Sequence, residues 1–302
     1  MKQRWSLRGL VVLIVALMVG AAELLGQREI IFPEIAAIAV GALLPPRMAW
    51  NTSRPRILLL IALCAALGVG LVRFVPGPDW MRLTLAYGAA EALYLCSGTT
   101  FAPMLSAAAL PVLLGTESVV YLIAAPVLTA LILGCHWAVE RAGWREPVRF
   151  EPVRADRRDW TDAAVRLALV ALAAWAALSL ELRFAVAPPL LVAFTELSRR
   201  SSGARRTPVR AVAVIALCAL AGAACRYGLT MRLGLPLTLA AVCAAMLMLL
   251  ILDRLRLYLP PAGALCVLPM LIPEARVLTY PLQITAGAAL FMVLSLAVFR
   301  EK

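Results

Sequence analysis

Charged residues are scarce in this chain, histidine is almost missing, and long polar stretches are confined to one place. Lys, Arg, Asp and Glu make up 15% of the 302 residues, against 63% apolar, whereas a soluble domain carries about a quarter charged residues. That shortage excludes an ordinary water-soluble globule. With one histidine, His136, a His-centred triad or a histidine metal cage has almost nothing to be built from. His136 stands beside Trp137 and reads as an amphipathic ring at a membrane interface. The seven cysteines lie in apolar stretches and form no Cys-x-x-Cys pair, so neither a zinc site nor a disulfide framework is indicated, and buried, inert thiols are expected. No P-loop, His-Glu-x-x-His or Gly-rich dinucleotide fingerprint occurs, and Leu95 stands where a serine nucleophile elbow at Ser97 would need glycine. An enzyme is not expected, nor a cofactor or metal.

What the chain does have is apolar length. Mean hydropathy is +0.89, and twelve apolar stretches fall near 8–26, 30–44, 57–74, 82–100, 101–115, 117–137, 162–182, 184–197, 209–227, 235–257, 261–273 and 277–298. They lack the alternation of a barrel strand, so the expected fold is all-α, a polytopic transmembrane helical bundle whose partner is the lipid bilayer. Four stretches are short: 30–44, 101–115, 184–197 and 261–273. At about 1.5 Å per residue they fall short of a core about 30 Å thick. They must be tilted, re-entrant or buried among other helices. The first stretch follows basic residues but has no convincing cleavage site after it and is read as a retained helix.

The short stretches are second and fifth in each set of six, which suggests a repeat. Ile61-Ala62-Leu63-Cys64-Ala65 matches Ile215-Ala216-Leu217-Cys218-Ala219, and Gly68 matches Gly222, 154 residues apart. Pro103 matches Pro261 and Leu110-Pro111 matches Leu268-Pro269, 158 residues apart. Two tandem parallel repeats of about six segments, 1–139 and 162–302, are therefore expected around a charged linker at 140–161. That linker is the one long polar stretch and reads as a solvated connector.

The net charge of +12 does not indicate nucleic acid, because the basic residues sit in short connectors and not along one polar face. If all twelve stretches cross, 22 Lys and Arg fall on the side of the termini and 7 on the other. The positive-inside rule then puts both termini and the linker in the cytoplasm of an inner membrane.

Candidate binding groups lie at the starts of the short segments. Pro188-Pro189 and Pro260-Pro261-Ala262-Gly263 open two of them, and a helix start offers free N–H groups and a positive dipole end to a small anion. Ser97, Thr99 and Thr100 precede Pro103 and add hydroxyl donors. Close helix packing is the competing role for the Pro and Gly residues. Glu91, deep in an apolar run, is a candidate for gating or proton coupling, the alternative being a structural pair with an arginine.

Taken together, Pro188-Pro189, the connector ending in Pro208-Val209-Arg210, Leu259-Pro260-Pro261-Ala262-Gly263-Ala264 and the helix beginning near Tyr280-Pro281 resemble the HPP family of bacterial and plastid membrane proteins. Leu259 replaces the signature histidine, and the first half resembles the unit more weakly. The resemblance implies an integral membrane protein, with nitrite transport associated with the plastid branch. A transporter of a small anion is the expected function, with a membrane-spanning scaffold or binding protein as the alternative.

Overall fold

The computed structural model describes residues 2–200 and 202–300. The side chains of Lys2 and Arg4, and Lys302, all counted in the charge asymmetry, lie outside the described residues. Each expected apolar stretch overlaps one α-helix: α1 (Lys2–Leu25), α2 (Glu34–Leu43), α3 (Arg54–Phe74), α4 (Asp79–Ser97), α5 (Pro103–Leu114), α6 (Val119–Arg141), α7 (Arg157–Ser179), α8 (Pro188–Ser198), α9 (Pro208–Cys225), α10 (Leu237–Leu255), α11 (Pro260–Val267) and α12 (Tyr280–Val298). No strand occurs among the described residues. Among the described residues, seven helices are long and apolar enough to cross a membrane: α1, α3, α6, α7, α9 with its π-helical extension to Arg232, α10 and α12. The chain is a multi-pass membrane protein. Helix α4 matches α10 at 19 residues but carries Asp79, Arg82 and Glu91.

Local chemistry sets the ends. Proline occupies the first turn of α3, α5, α8, α9, α11 and α12, where its missing N–H costs nothing. Helices α4 and α5 stop at Gly98 and Gly115, both left-handed at φ 66°. Helix α7 starts five residues before the expected stretch because Asp156 and Asp159 form a reciprocal capping box.

The four short helices form the centre, which is why they need not span. Every residue of α2 and α11 is buried, as are all of α5 but Leu114 and all of α8 but Glu196. They pair across the two halves of the chain, α2 against α11 and α5 against α8. The long helices enclose them, with α1 on α10 and α4 on α7 as further cross-half contacts.

Several contacts recur in the two halves. At Gly68 of α3 an added Cβ would fall on the Ala108 carbonyl oxygen of α5; at Gly222 of α9 it would fall on the Cys266 carbonyl oxygen of α11. The Tyr121 hydroxyl donates to the Ala107 carbonyl at 2.9 Å and the Tyr280 hydroxyl to the Leu265 carbonyl at 2.7 Å. Phe32 meets Tyr121 edge-on at 5.7 Å, as Phe184 meets Tyr280 at 5.4 Å.

Successive helices alternate in direction, so the start of α1, the end of α12 and the linker share one face. Arg8 of α1 pairs with Asp253 at the end of α10 at 2.7 Å, Arg54 pairs with Glu140, and Arg205 donates to the Phe299 carbonyl at 2.7 Å. On this face the linker is largely exposed and is held at several points by hydrogen bonds. Asn51 donates to the Glu151 carbonyl at 2.6 Å and accepts from the Glu151 N–H at 3.2 Å. The Val153 N–H donates to the Gly98 carbonyl at 3.0 Å, and Arg145 reaches the Leu43 carbonyl at 2.5 Å. Backbone groups left open by the α2–α3 and α4–α5 connectors are thereby satisfied.

Two further expectations change. His136 is fully buried rather than interfacial, with Nδ1 3.4 Å from the Arg54 guanidinium; the exposed ring is Trp137, with Arg141 stacked over it at 4.4 Å. Cys64, Cys218, Cys225 and Cys266 are buried, but Cys96 is exposed, because the last turn of α4 leaves one face unpacked.

Candidate functional site

Four turns into α4, Glu91 points away from lipid and is 2% exposed. A lone carboxylate there would be costly. Arg166, ten residues into α7 and 5% exposed, supplies the partner. Its Nε donates to Glu91 Oε1 at 3.0 Å, and a second guanidinium nitrogen reaches the same oxygen. The Thr195 hydroxyl of α8 lies 3.4 Å from Glu91 Oε2, and the Tyr87 hydroxyl lies 2.8 Å from the Thr195 hydroxyl. Three helices from two halves of the chain are thus joined through one buried network. Arg166 also lies 5.9 Å from the Phe299 ring.

Above this network a cavity of about 330 Å³ opens on the linker face. Arg166 and Thr195 form its floor, Tyr94, Leu95, Ser198 and Arg199 its sides, and Val153 and Ala155 of the linker one wall. Most of its charges already have partners. Arg166 holds Glu91, Arg200 lies 3.5 Å from Asp162, and Asp159 accepts from the Asp156 N–H at 2.9 Å. Ser198 donates to the Phe194 carbonyl at 2.7 Å. Two groups differ. The Tyr94 hydroxyl is buried without a hydrogen-bond partner, although the residue is only 4% exposed. Arg199, whose guanidinium lies 5.9 Å from the Tyr94 ring, makes no ion pair with a described residue.

A second cavity of about 380 Å³ adjoins it, with Arg199 on the shared border. Thr100, Leu259 and Pro260 line it together with Trp50 and Glu196. The Trp50 indole donates to Glu196 Oε1 at 3.0 Å. Tyr258, at the rim, donates to Asp253 at 2.8 Å; burial and then that hydrogen bond hold its phenol above the usual range, so it stays neutral.

The candidate residues therefore separate. Thr99 lines the first cavity and Thr100 the second, where Thr100 meets Pro260 from the other half. Thr99 and Ser97 bond each other at 3.0 Å, and the Thr100 hydroxyl accepts from the Asn51 N–H at 2.8 Å. Pro188 and Pro189 open α8 at the opposite face and are buried there, because α8 runs toward the linker face while α11 runs away from it. The two helix starts do not converge. Pro261 and Gly263 are buried in α11, and the place of a Gly263 side chain lies 3.0 Å from the Ala36 carbonyl group of α2. That space belongs to helix packing. Glu91 is committed to Arg166.

Sequence reasoning passed over Arg166, Tyr94, Thr195 and Arg199. Arg166 lies within an apolar run, and a cation at that depth implies a buried partner. Tyr94 carried no signal beyond its place three residues after Glu91. Compared with protein-family models, curated proteins and solved structures, the chain gives no match.

Proposed function

We propose that this protein is a transporter of a small anion, built from two tandem, parallel six-helix halves and seated in an inner membrane with both termini and the linker in the cytoplasm. One observation carries the reading: in a chain with few charges, a buried ion pair forms the floor of a cavity between α4, α7 and α8. Ionised groups at such depth are costly and are characteristic of solute pathways. Duplication is supported by the recurring Gly, Tyr and Phe contacts, all near the offsets of 154 and 158 residues. By the same offsets, Arg166, Glu91 and Tyr94 fall opposite Val12, Leu249 and Leu252, so the polar cavity belongs to one of two related interfaces. The HPP-like motif fits this picture, since Leu259 and Pro260 line the adjoining cavity.

A scaffold without transport is the second reading, and the close packing of α11 on α2 at Gly263 favours it. Flux into proteoliposomes separates the two. Saturable uptake of at least one of nitrite, nitrate, chloride and acetate is expected; no uptake of any of them by monodisperse protein overturns transport. Compartment-sensitive reporters fused after Trp144 and Lys302 should both report cytoplasm, as the 22-to-7 charge asymmetry requires. A periplasmic signal at either site overturns the orientation.

A further inference from the structure

We propose that Glu34 is a proton-binding site at the seam between the two halves, neutral while the seam is closed and ionised when water reaches it. The inference deepens the transport reading by naming a coupling ion and rests on that reading for its biological role, but proton binding is measured without flux.

Glu34 opens α2 and is 1% exposed. Ser106 of α5 hydrogen-bonds its Oε1, while its Oε2 is buried with no partner. No Lys, Arg or His among the described residues lies within ion-pair distance of it. Glu91 shows the contrast: as deeply buried, it has Arg166, and protonating it would strand that guanidinium. A buried carboxyl that lacks a cation persists as the neutral acid. The start of α2 adds a partial positive charge, but the N–H groups of Ile35 and Ala36 are already bonded to the Phe32 and Pro33 carbonyls.

The elements packed on α2, which are α1, α5, α6 and α11, bring no compensating charge. Tyr121 of α6 faces Glu34, as does Tyr280 of α12, and both phenols donate to backbone carbonyls. Cys266 of α11 is bonded to the Ala244 carbonyl. Charged and titratable groups of α1 and α6 sit toward the helix ends and are engaged there: Arg8 with Asp253, Glu23 with the start of α10, His136 and Glu140 with Arg54, and Arg141 on Trp137. Arg28, six residues before Glu34, is exposed.

Position gives the proton a role. Two residues beyond Glu34, the Ala36 backbone packs against Gly263, across the α2–α11 contact that joins the halves. A movement that opened this contact would admit water to the carboxyl. Its O–H bond then breaks and the proton passes to water, and the carboxylate must regain a proton before the seam recloses. Opening to one side and then the other would carry one proton per cycle.

Infrared spectroscopy of purified full-length protein in detergent at pH 7 tests the site. A protonated-carboxyl C=O band that shifts in D2O is expected in the wild type and in Glu91→Gln, and should be lost in Glu34→Gln. Ser106→Ala should keep the band and raise its frequency, because one hydrogen bond is removed. Absence of the band from the wild type overturns the site, as does its full retention in Glu34→Gln shown to be folded by gel filtration and melting temperature. Should Glu34→Gln fail to fold, the Ser106→Ala frequency shift decides alone, and an unmoved band overturns the site. Proteoliposomes test coupling, with uptake of nitrite, nitrate, chloride and acetate each measured above protein-free liposomes. An inward proton gradient should accelerate wild-type uptake several-fold and leave Glu34→Gln unaffected. Equal acceleration of both, or of neither, overturns the coupling role. No uptake of any of the four by the wild type removes the transport reading and leaves the proton site to the infrared result.

Discussion

Arg166→Leu is expected to destabilise the protein by about 3 to 5 kcal/mol, the usual result of removing one partner of a buried ion pair. The variant leaves Glu91 at 2% exposure with only neutral hydroxyls nearby, that of Thr195 at 3.4 Å and that of Tyr87 beside it. Water entering from the cavity above can hydrate the carboxylate but supplies no compensating charge. Glu91→Leu should cost a comparable amount for the converse reason, since Arg166 is then buried without its anion. The double variant Glu91→Leu with Arg166→Leu should recover most of the loss, because the desolvation of both ions disappears together with their attraction. A double-mutant cycle on melting temperatures in detergent reads this coupling directly. Additive losses in the three variants would show that the two side chains do not act as a pair.

That pair also marks the limit of what the sequence makes legible. Helix positions were readable throughout because hydrocarbon leaves the backbone one open-chain solution and because proline and glycine mark the ends of the runs. The burial of the four short helices was half readable: their length excluded a simple span, but nothing local says that α2 meets α11 or that α5 meets α8. Pairing between distant segments depends on shape, and shape enters the sequence only as scattered Ala and Gly. The site follows the same division. Glu91 announces itself by its cost in an apolar run, whereas the cavity above it exists only where α4, α7 and α8 come together. The docking of the exposed linker was not legible, because the backbone donors and acceptors it uses, such as those of Val153 and Glu151, are common to every residue. Helix starts at Pro188 and Pro260 were correctly placed as starts, yet their opposite directions follow only from counting each crossing.

Gly222→Ala is expected to produce a loss of about 1 to 3 kcal/mol or more, the range for overpacking a tight core, from a single added methyl group. The Cβ would fall on the Cys266 carbonyl oxygen and close to Pro269. Backbone cannot rotate aside as a side chain can, so α9 must separate from α11. That movement strains the short helix whose Gly263 already sits against α2. Gly68→Ala meets the same obstacle in the other half, at the Ala108 carbonyl oxygen and beside Pro111. If the halves descend from one six-helix unit, the two variants should lower the melting temperature by similar amounts and both should outlast no wild-type sample on heating. Gly70→Ala and Gly134→Ala are the controls, because neither added Cβ meets any atom within 4 Å and alanine is the better helix former by up to about 1 kcal/mol. These two should be neutral or stabilising. Small residues let membrane helices approach when apolar burial offers no driving force between them, so the contrast isolates close approach from helix propensity. Gly222→Ala as stable as Gly134→Ala would mean that the α9–α11 spacing is set elsewhere, and a large effect at Gly222 alone would weaken the case that Gly68 and Gly222 occupy equivalent places.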